Sequence, residues 1–242
     1  MKMTRSRSRR AWLRSFLDGM WNAAMNLNRT NILACVPRRP GLKLIDLGCD
    51  DGAWTMELAE RAGTTKVWGV EIVPERATAA EERGVRVTRG DLAQQLPFPD
   101  ASFDLLHANQ VIEHVPDVDL FVSEVTRVLR PGGCAILSTE NGSSWVNIGA
   151  AILGWQIFSL TNVSVRRLGI GNPLALHRGE CGELTSWTHK TIFNFRGLKE
   201  LCEAYGLADV RILGAGYFPL PAGLGRLDPR HAHFITVSAV KA

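Results

Sequence analysis

Paired cysteines are missing from this chain. The five it has, Cys35, Cys49, Cys134, Cys181 and Cys202, are odd in number, far apart and form no Cys-x-x-Cys pair. That usage excludes a disulfide framework and fits a reducing, cytoplasmic setting. Zinc spacing is missing too. His177, Cys181 and His189 are close in sequence, but a fourth ligand at metal spacing is absent, so no metal is expected. Acidic residues are absent from the first ten positions, where Lys2, Arg5, Arg7, Arg9 and Arg10 contribute +5 to a net charge of +4. The rest of the chain is therefore close to neutral, which excludes a duplex-binding surface spread over the fold, and no nucleic-acid partner is expected. The basic head reads as a short solvated tail. No secretory leader is expected, because Arg14 and Asp18 interrupt the apolar stretch that opens at Ala11-Trp12-Leu13.

Charge is also missing from the 25 residues between Glu140 and Arg166. Their length alone would permit a membrane span, but Asn141, Ser143, Ser144, Asn147, Gln156 and Asn162 make the stretch too polar for one. It reads as a cap over a pocket, with peripheral contact to a membrane surface as the secondary reading.

What is present is a change of period. Trp12, Phe16, Met20, Ala23, Ala24 and Leu27 recur at helical spacing before Pro37 and Pro40 break the chain. From Leu42 onward, short apolar runs alternate with amphipathic segments. Residues 42–47, 67–72, 85–88, 103–108 and 135–139 read as strands, nearly continuous in apolar character as a sheet covered on both faces requires. Residues 53–62 and 74–83 read as helices, the second opened by Pro74. A third carries Val118, Phe121, Val122 and Val125 on one face and is expected to end at Pro131-Gly132-Gly133. After Glu140 the rhythm lapses for about fifty residues, then resumes with Leu198, Leu201, Cys202 and Tyr205 on a helix and two strands, 210–213 and 234–240. The last two strands are joined without a convincing helix and are expected to pair antiparallel at one edge. The alternation predicts an α/β, Rossmann-like, doubly wound, seven-stranded, mostly parallel sheet.

The strongest local signal is Leu44-Ile45-Asp46-Leu47-Gly48-Cys49-Asp50-Asp51-Gly52, an apolar strand that enters a glycine-containing turn and then a helix. Gly48 and Gly52 let the backbone approach a ligand, and open parallel sheets bind ligands at the carboxyl ends of their strands. A diphosphate loop would want Gly-x-Gly-x-x-Gly and few acids. Asp46, Asp50 and Asp51 would repel a diphosphate and suit a ligand bearing an amine or a sulfonium. Glu71 ends the next strand, where a carboxylate can accept from both ribose hydroxyls. Asp91 and Leu92 end the third, suited to an adenine amine beside an apolar ring contact. Amine, ribose and adenine without phosphate describe S-adenosylmethionine.

Residues 42–140 resemble the core of class I S-adenosylmethionine-dependent methyltransferases, particularly the small-molecule group related to quinone-biosynthesis enzymes. The likeness rests on Asp46 through Gly52, Val70-Glu71-Ile72, Gly90-Asp91-Leu92, Phe98 through Asp104, Val111-Ile112-Glu113-His114 and Leu129 through Gly133, in order and at matching spacing. It implies that Asp46, Gly48, Cys49, Asp50 and Gly52 surround the methionine part of the cofactor, with Asp46 near its amine. Glu71 would hold the ribose, Ile72 would flank the adenine, and Asp91 with Leu92 would bind its edge. Asn109 and Gln110 would approach the sulfonium side. Asp50 departs from the family, which usually has a further glycine there, so its side chain must point away from the ligand or alter its contacts. Each role has a structural alternative, such as Asp46 bonding the turn or the following helix.

His114 is the base candidate, with S-adenosylhomocysteine as the co-product. By this reading residues 1–40 are a basic head and helical extension, and residues 41–242 form a methyltransferase domain with an inserted cap at 141–190. Trp12, Phe16, Trp21, Trp145, Trp155, Phe158 and Trp187 would serve an apolar acceptor pocket or simply pack the cap. The expected acceptor is a small molecule or lipid-linked metabolite, methylated on oxygen, nitrogen or carbon, with oxygen favoured. The competing readings are an oxidoreductase using a nicotinamide cofactor, a catalytically silent S-adenosylmethionine-binding scaffold, and a membrane-bound interaction protein.

Overall fold

The computed structural model describes residues 2–175 and 177–242, with side chains from Ser15 onward apart from position 176. The chain runs α1 (Lys2–Cys35), β1 (Lys43–Leu47), α2 (Ala53–Ala62), β2 (Lys66–Glu71), α3 (Pro74–Glu82), β3 (Arg86–Arg89) and β4 (Phe103–Asn109). It continues through α4 (Val118–Val128), β5 (Leu129–Glu140), α5 (Trp145–Ile152), α6 (Phe195–Ala204), β6 (Leu207–Ala215) and β7 (Phe234–Lys241). The seven strands form one sheet in the order β3-β2-β1-β4-β5-β7-β6. All neighbours from β3 to β5 are parallel. The expected antiparallel pair lies at the edge, and within it the reversed strand is β7, one place in, with β6 outermost. The basic residues of the head and Trp12 fall outside the described side chains.

Alternation along each strand sorts its side chains to two faces. Ile45, Leu47, Leu106 and Leu137 meet Phe121, Val122 and Val125 of α4 and Leu198 and Cys202 of α6. Their neighbours Leu44, Leu105 and Ile136 meet Leu58 and Ala59 of α2, Ala80 of α3 and Ile32 of α1. Each fully buried aliphatic side chain contributes roughly 1.5–3 kcal/mol. Helix boundaries follow local chemistry. Gly63, at φ 75°, closes α2 by donating to the Ala59 carbonyl at 2.9 Å. Asp117 caps α4 by accepting from Leu120 N–H at 2.9 Å. One boundary differs from expectation: α4 ends at Val128, and Leu129 is already extended and paired with Phe103. Pro131-Gly132-Gly133 thus lies inside β5, at a register irregularity, rather than ending the helix.

Residues 141–190 are largely irregular, apart from α5 and two single turns at Phe158–Leu160 and Thr185–Trp187. Among the described residues, no helix is long and apolar enough to cross a membrane. The polar residues of this stretch fasten it. Buried Asn141 donates to the carbonyls of Arg230 (2.8 Å) and Ala232 (2.9 Å). Buried Asn147 donates to the Asn141 carbonyl (2.9 Å) and to Ser159 Oγ (2.8 Å).

The helix α1 is fastened in the same way. Asn28, 1% exposed, donates to Ser138 Oγ (2.9 Å) and Asn109 Oδ1 (3.2 Å) and accepts from Thr236 Oγ1 (2.8 Å). Asn28→Ala leaves those buried groups short of partners and is expected to cost about 1–3 kcal/mol in urea unfolding. Exposed Asn26→Ala should stay within about 0.5 kcal/mol of the parent.

His233 is buried among the rings of Trp21, Phe218 and Phe234, with centroids 4.7–5.2 Å away, and neither of its nitrogens has a hydrogen-bond partner. Burial pushes its pKa below the usual 6.5, against an opposing pull from the Glu140 charge. Above pH 6.5 the ring is neutral whether the chain is folded or unfolded. As pH falls below 6.5 the unfolded chain takes up a proton that the folded one refuses, so stability declines. In urea unfolding, the stability difference between the parent and His233→Phe is expected to move against the parent as pH is lowered from 7.5 to 5.

Candidate active site

Because β1 has parallel neighbours on both sides, the turns after β1, β2, β3 and β4 gather at one edge of the sheet, at its switch point. Backbone bonds hang three of these turns on neighbouring strands. Gly48 and Cys49 donate to the Val70 carbonyl (2.8 and 3.1 Å), Gly90 to Glu71 (3.2 Å) and Gln110 to Ser138 (2.7 Å). Between them lies a cleft of about 660 Å³, ample for a cofactor with a small acceptor.

The structure brings together Gly48, Asp50, Glu71, Ile72, Asp91, Leu92, Asn109, Gln110 and His114 on its walls. Glu71 is the best-held of them. Its Oε2 accepts from Asp50 N–H and its Oε1 from Val73 N–H, both at 2.9 Å, so one carboxylate joins the first turn to the second. Gly48 is held at φ 73°, and a Cβ there would come within 2.9 Å of Val111 Cγ2 in the opposite wall. Asp50 sits at φ 49°, the left-handed conformation that glycine adopts most easily. Its carboxylate pairs with Arg76 Nη1 at 3.2 Å on the cleft wall. Asp91 Oδ1 accepts from Ala93 N–H at 2.9 Å. Gln110, at φ 55°, carries a buried Nε2 that lacks a hydrogen-bond partner.

Three expected residues stand behind the walls instead. Asp46 is buried, its Oδ1 bound to His107 Nδ1 at 2.6 Å and its Oδ2 to the Thr55 hydroxyl at 2.5 Å. Trp54 Nε1–H donates to His107 Nε2 at 3.4 Å, so the proton of that imidazole lies on Nδ1, facing Asp46. Cys49 packs beneath Gly69, and burial with the Asp46 and Glu71 charges pushes its thiol pKa up. Gly52 lets α2 approach α3, since a Cβ there would meet Ala80 at 2.9 Å.

Sequence reasoning missed Arg76 and Lys190, which also line the cleft, with Thr185, Ser186 and Trp187 from the late part of the inserted region. Of the aromatic residues expected to serve an acceptor, Trp187 lines the cleft, whereas Trp145 stacks on His231 at 4.4 Å. His114 is half-buried and donates from Nδ1 to the Thr188 carbonyl at 3.2 Å. Burial, with His189 alongside, pushes its pKa down to about 4, so the ring is neutral near pH 7. Glu113, fully buried beside it, is pushed up to about 8 by burial and the Glu140 charge. His177 pairs with Glu180 and Cys181 meets the Arg166 carbonyl, while His189 meets Glu113 and His114.

Residues 45–137 match the family model described as a methyltransferase domain. Demethylmenaquinone methyltransferase of Staphylococcus aureus (strain MRSA252) is 29% identical over 188 residues, covering 75% of this chain and 73% of the relative. The chain carries a methyltransferase domain. Solved structures share its fold. An S-adenosylmethionine-dependent methyltransferase from Thermotoga maritima aligns with a TM-score of 0.60 and 18% identity, covering 100% of this chain and 97% of that one. A Haemonchus contortus phosphoethanolamine N-methyltransferase in complex with S-adenosylhomocysteine aligns at 0.58 and 16% identity, covering 88% and 52%. The methyltransferase-domain match sets aside the nicotinamide reading.

Behind the first turn, the Asp46–Thr55 bond ties β1 to α2 inside the protein. Thr55→Val keeps the shape and removes the hydroxyl, leaving Asp46 Oδ2 buried without that partner. The expected loss is about 1–3 kcal/mol in urea unfolding; an unchanged midpoint would show that the bond is not stabilising.

Proposed function

We propose that this methyltransferase holds S-adenosylmethionine along the cleft edge from Gly48 to Gln110 and methylates an oxygen of a small-molecule or lipid-linked acceptor. The observation that carries the reading is Glu71. Its two oxygens are each anchored by one backbone N–H, and each retains a lone pair for a ribose hydroxyl. Asp91 and Leu92 supply an acceptor and an apolar surface for the adenine, with Ile72 on its flank. The unpartnered Gln110 Nε2 fits a ligand that accepts there. Gly48 keeps the turn clear of a side chain.

The bound cofactor supplies an electrophilic methyl group. The chain's own task is to align the acceptor, exclude water and manage a proton. His114 suits the last, because its ring is neutral and its Nδ1 is committed to the Thr188 carbonyl. Nε2 therefore carries the lone pair, in reach of a hydroxyl acceptor's proton. Trp187, Val111 and Val115 offer that acceptor an apolar wall. The relative named for demethylmenaquinone supports an apolar small-molecule acceptor.

Calorimetric titration with S-adenosylhomocysteine tests the cofactor placement. Glu71→Ala is expected to weaken binding at least about tenfold, the lower end for losing charge-assisted hydrogen bonds. Asp91→Ala, at an exposed position, is expected to weaken it as well, with loss of the bond from Ala93 N–H. Unchanged affinity in both would overturn the placement.

A further inference from the structure

Glu113, His114 and His189 each bring a possible ligand atom within 4.8 Å of the other two. The two histidines come from distant parts of the chain, one beyond β4 and one at the end of the inserted region. Both rings are held in the way metal-binding imidazoles are held. His114 Nδ1 faces the Thr188 carbonyl at 3.2 Å, and His189 Nδ1 faces the Ser159 carbonyl at 2.6 Å. A carbonyl only accepts, so each Nδ1 carries the proton and each Nε2 carries the lone pair. A backbone carbonyl on the far nitrogen is the usual device that fixes a ligating tautomer.

The carboxylate adds an independent observation. Glu113 is 0% exposed; neither of its oxygens is held at full hydrogen-bond geometry, and the Thr139 hydroxyl beside it offsets only part of the effect of burial. Buried carboxyl groups are ordinarily paired. Its backbone is well held, the Glu113 carbonyl accepting from Lys190 N–H at 2.8 Å, which also pins the segment carrying His189. The carboxylate thus lies buried within 4.8 Å of a ring nitrogen of each histidine.

We propose that Glu113, His114 and His189 bind a first-row divalent cation, Zn²⁺ foremost, with its open coordination positions toward the acceptor end of the cleft. Two imidazoles and one carboxylate form a ligand set with positions left for water or substrate. Ligands about 2.1 Å from one tetrahedral ion lie about 3.4 Å apart, so binding draws the three groups together from their present spacing. The half-buried positions of His114 and His189 allow that. The catalytic use of the ion rests on the proposed transfer site. There it coordinates the acceptor hydroxyl and lowers its pKa, the hydroxyl proton leaves to solvent, and the oxygen lone pair is freed to attack. His114 then acts as a ligand and no longer as the base. Lys190 and Glu140 flank the cluster with opposite charges.

The test uses the full chain, stripped with a chelator, without cofactor or acceptor. Titration with Zn²⁺ by calorimetry, and with Co²⁺ followed by its visible absorption, is expected to show one equivalent bound. Glu113→Gln and His189→Ala should each weaken that binding at least tenfold, with folding checked by urea unfolding in metal-free buffer. His189→Ala, on an irregular segment, serves if Glu113→Gln fails to fold. His177→Ala, beside Glu180, should bind as the parent does. Absence of stoichiometric binding, or binding that survives His189→Ala and is lost in His177→Ala, would overturn the proposal. Because cofactor affinity is measured separately with S-adenosylhomocysteine, failure of the metal site and failure of the proposed transfer site are distinguishable.

Discussion

The parallel direction shared by β1 to β5 is the constraint on which the rest of this molecule depends. Strands that run the same way must be joined by crossovers, and the crossovers cover both faces with helices. The same direction puts every strand's carboxyl end on one edge. Because β1 lies between β2 and β4, the turns that follow these strands diverge around a cleft instead of closing on it. The helix-covered faces supply the apolar burial, and the open edge supplies the place for a ligand.

Within that frame, polar side chains decide how the turns are held. Glu71 joins two turns by accepting from one backbone N–H of each. Asp46, one strand over, is spent internally on Thr55 and His107. Two carboxylates on neighbouring strands therefore have different duties: one faces the cleft and the other, two residues earlier in register, secures the strand beneath it. The irregular region after β5 follows the same logic. Asn141 and Asn147 satisfy backbone groups that no helix or sheet satisfies there. They are the residues that make the uncharged stretch too polar to span a membrane.

Much of this was legible in the chain. The helix at 53–62 was placed to the residue, since apolar spacing, Gly52 and Gly63 all mark it. The strands other than β5 were placed to within about three residues, because each is a short apolar run bounded by turn chemistry; β5 opens at Leu129, ahead of the expected 135. The cleft residues Glu71 and Asp91 were found by their position at strand ends, and Asn109 and Gln110 through the family resemblance. The break at Pro131-Gly132-Gly133 was misjudged by several residues. Helical spacing runs past Val128 in the sequence, while pairing of Leu129 with Phe103 ends the helix in the structure. Helix α5 was missed because apolar residues stand on its exposed side and its polar Asn147 is buried, with Ile152 79% exposed.

The sequence by itself determined the sheet, its direction, the edge on which the site lies and the cofactor chemistry that its acids favour. Those depend on periodicity and on residues within one strand–turn–helix unit, which neighbours in the chain express locally. The tertiary structure alone decided that Asp46 turns to His107 and that Asp50 pairs with Arg76. It also decided that Asn28 fastens α1 to Ser138 and Thr236, and that His189 comes beside Glu113 and His114. The reason is physical: a polar side chain has several possible partners in sequence, and only packing of the covered faces leaves one within reach.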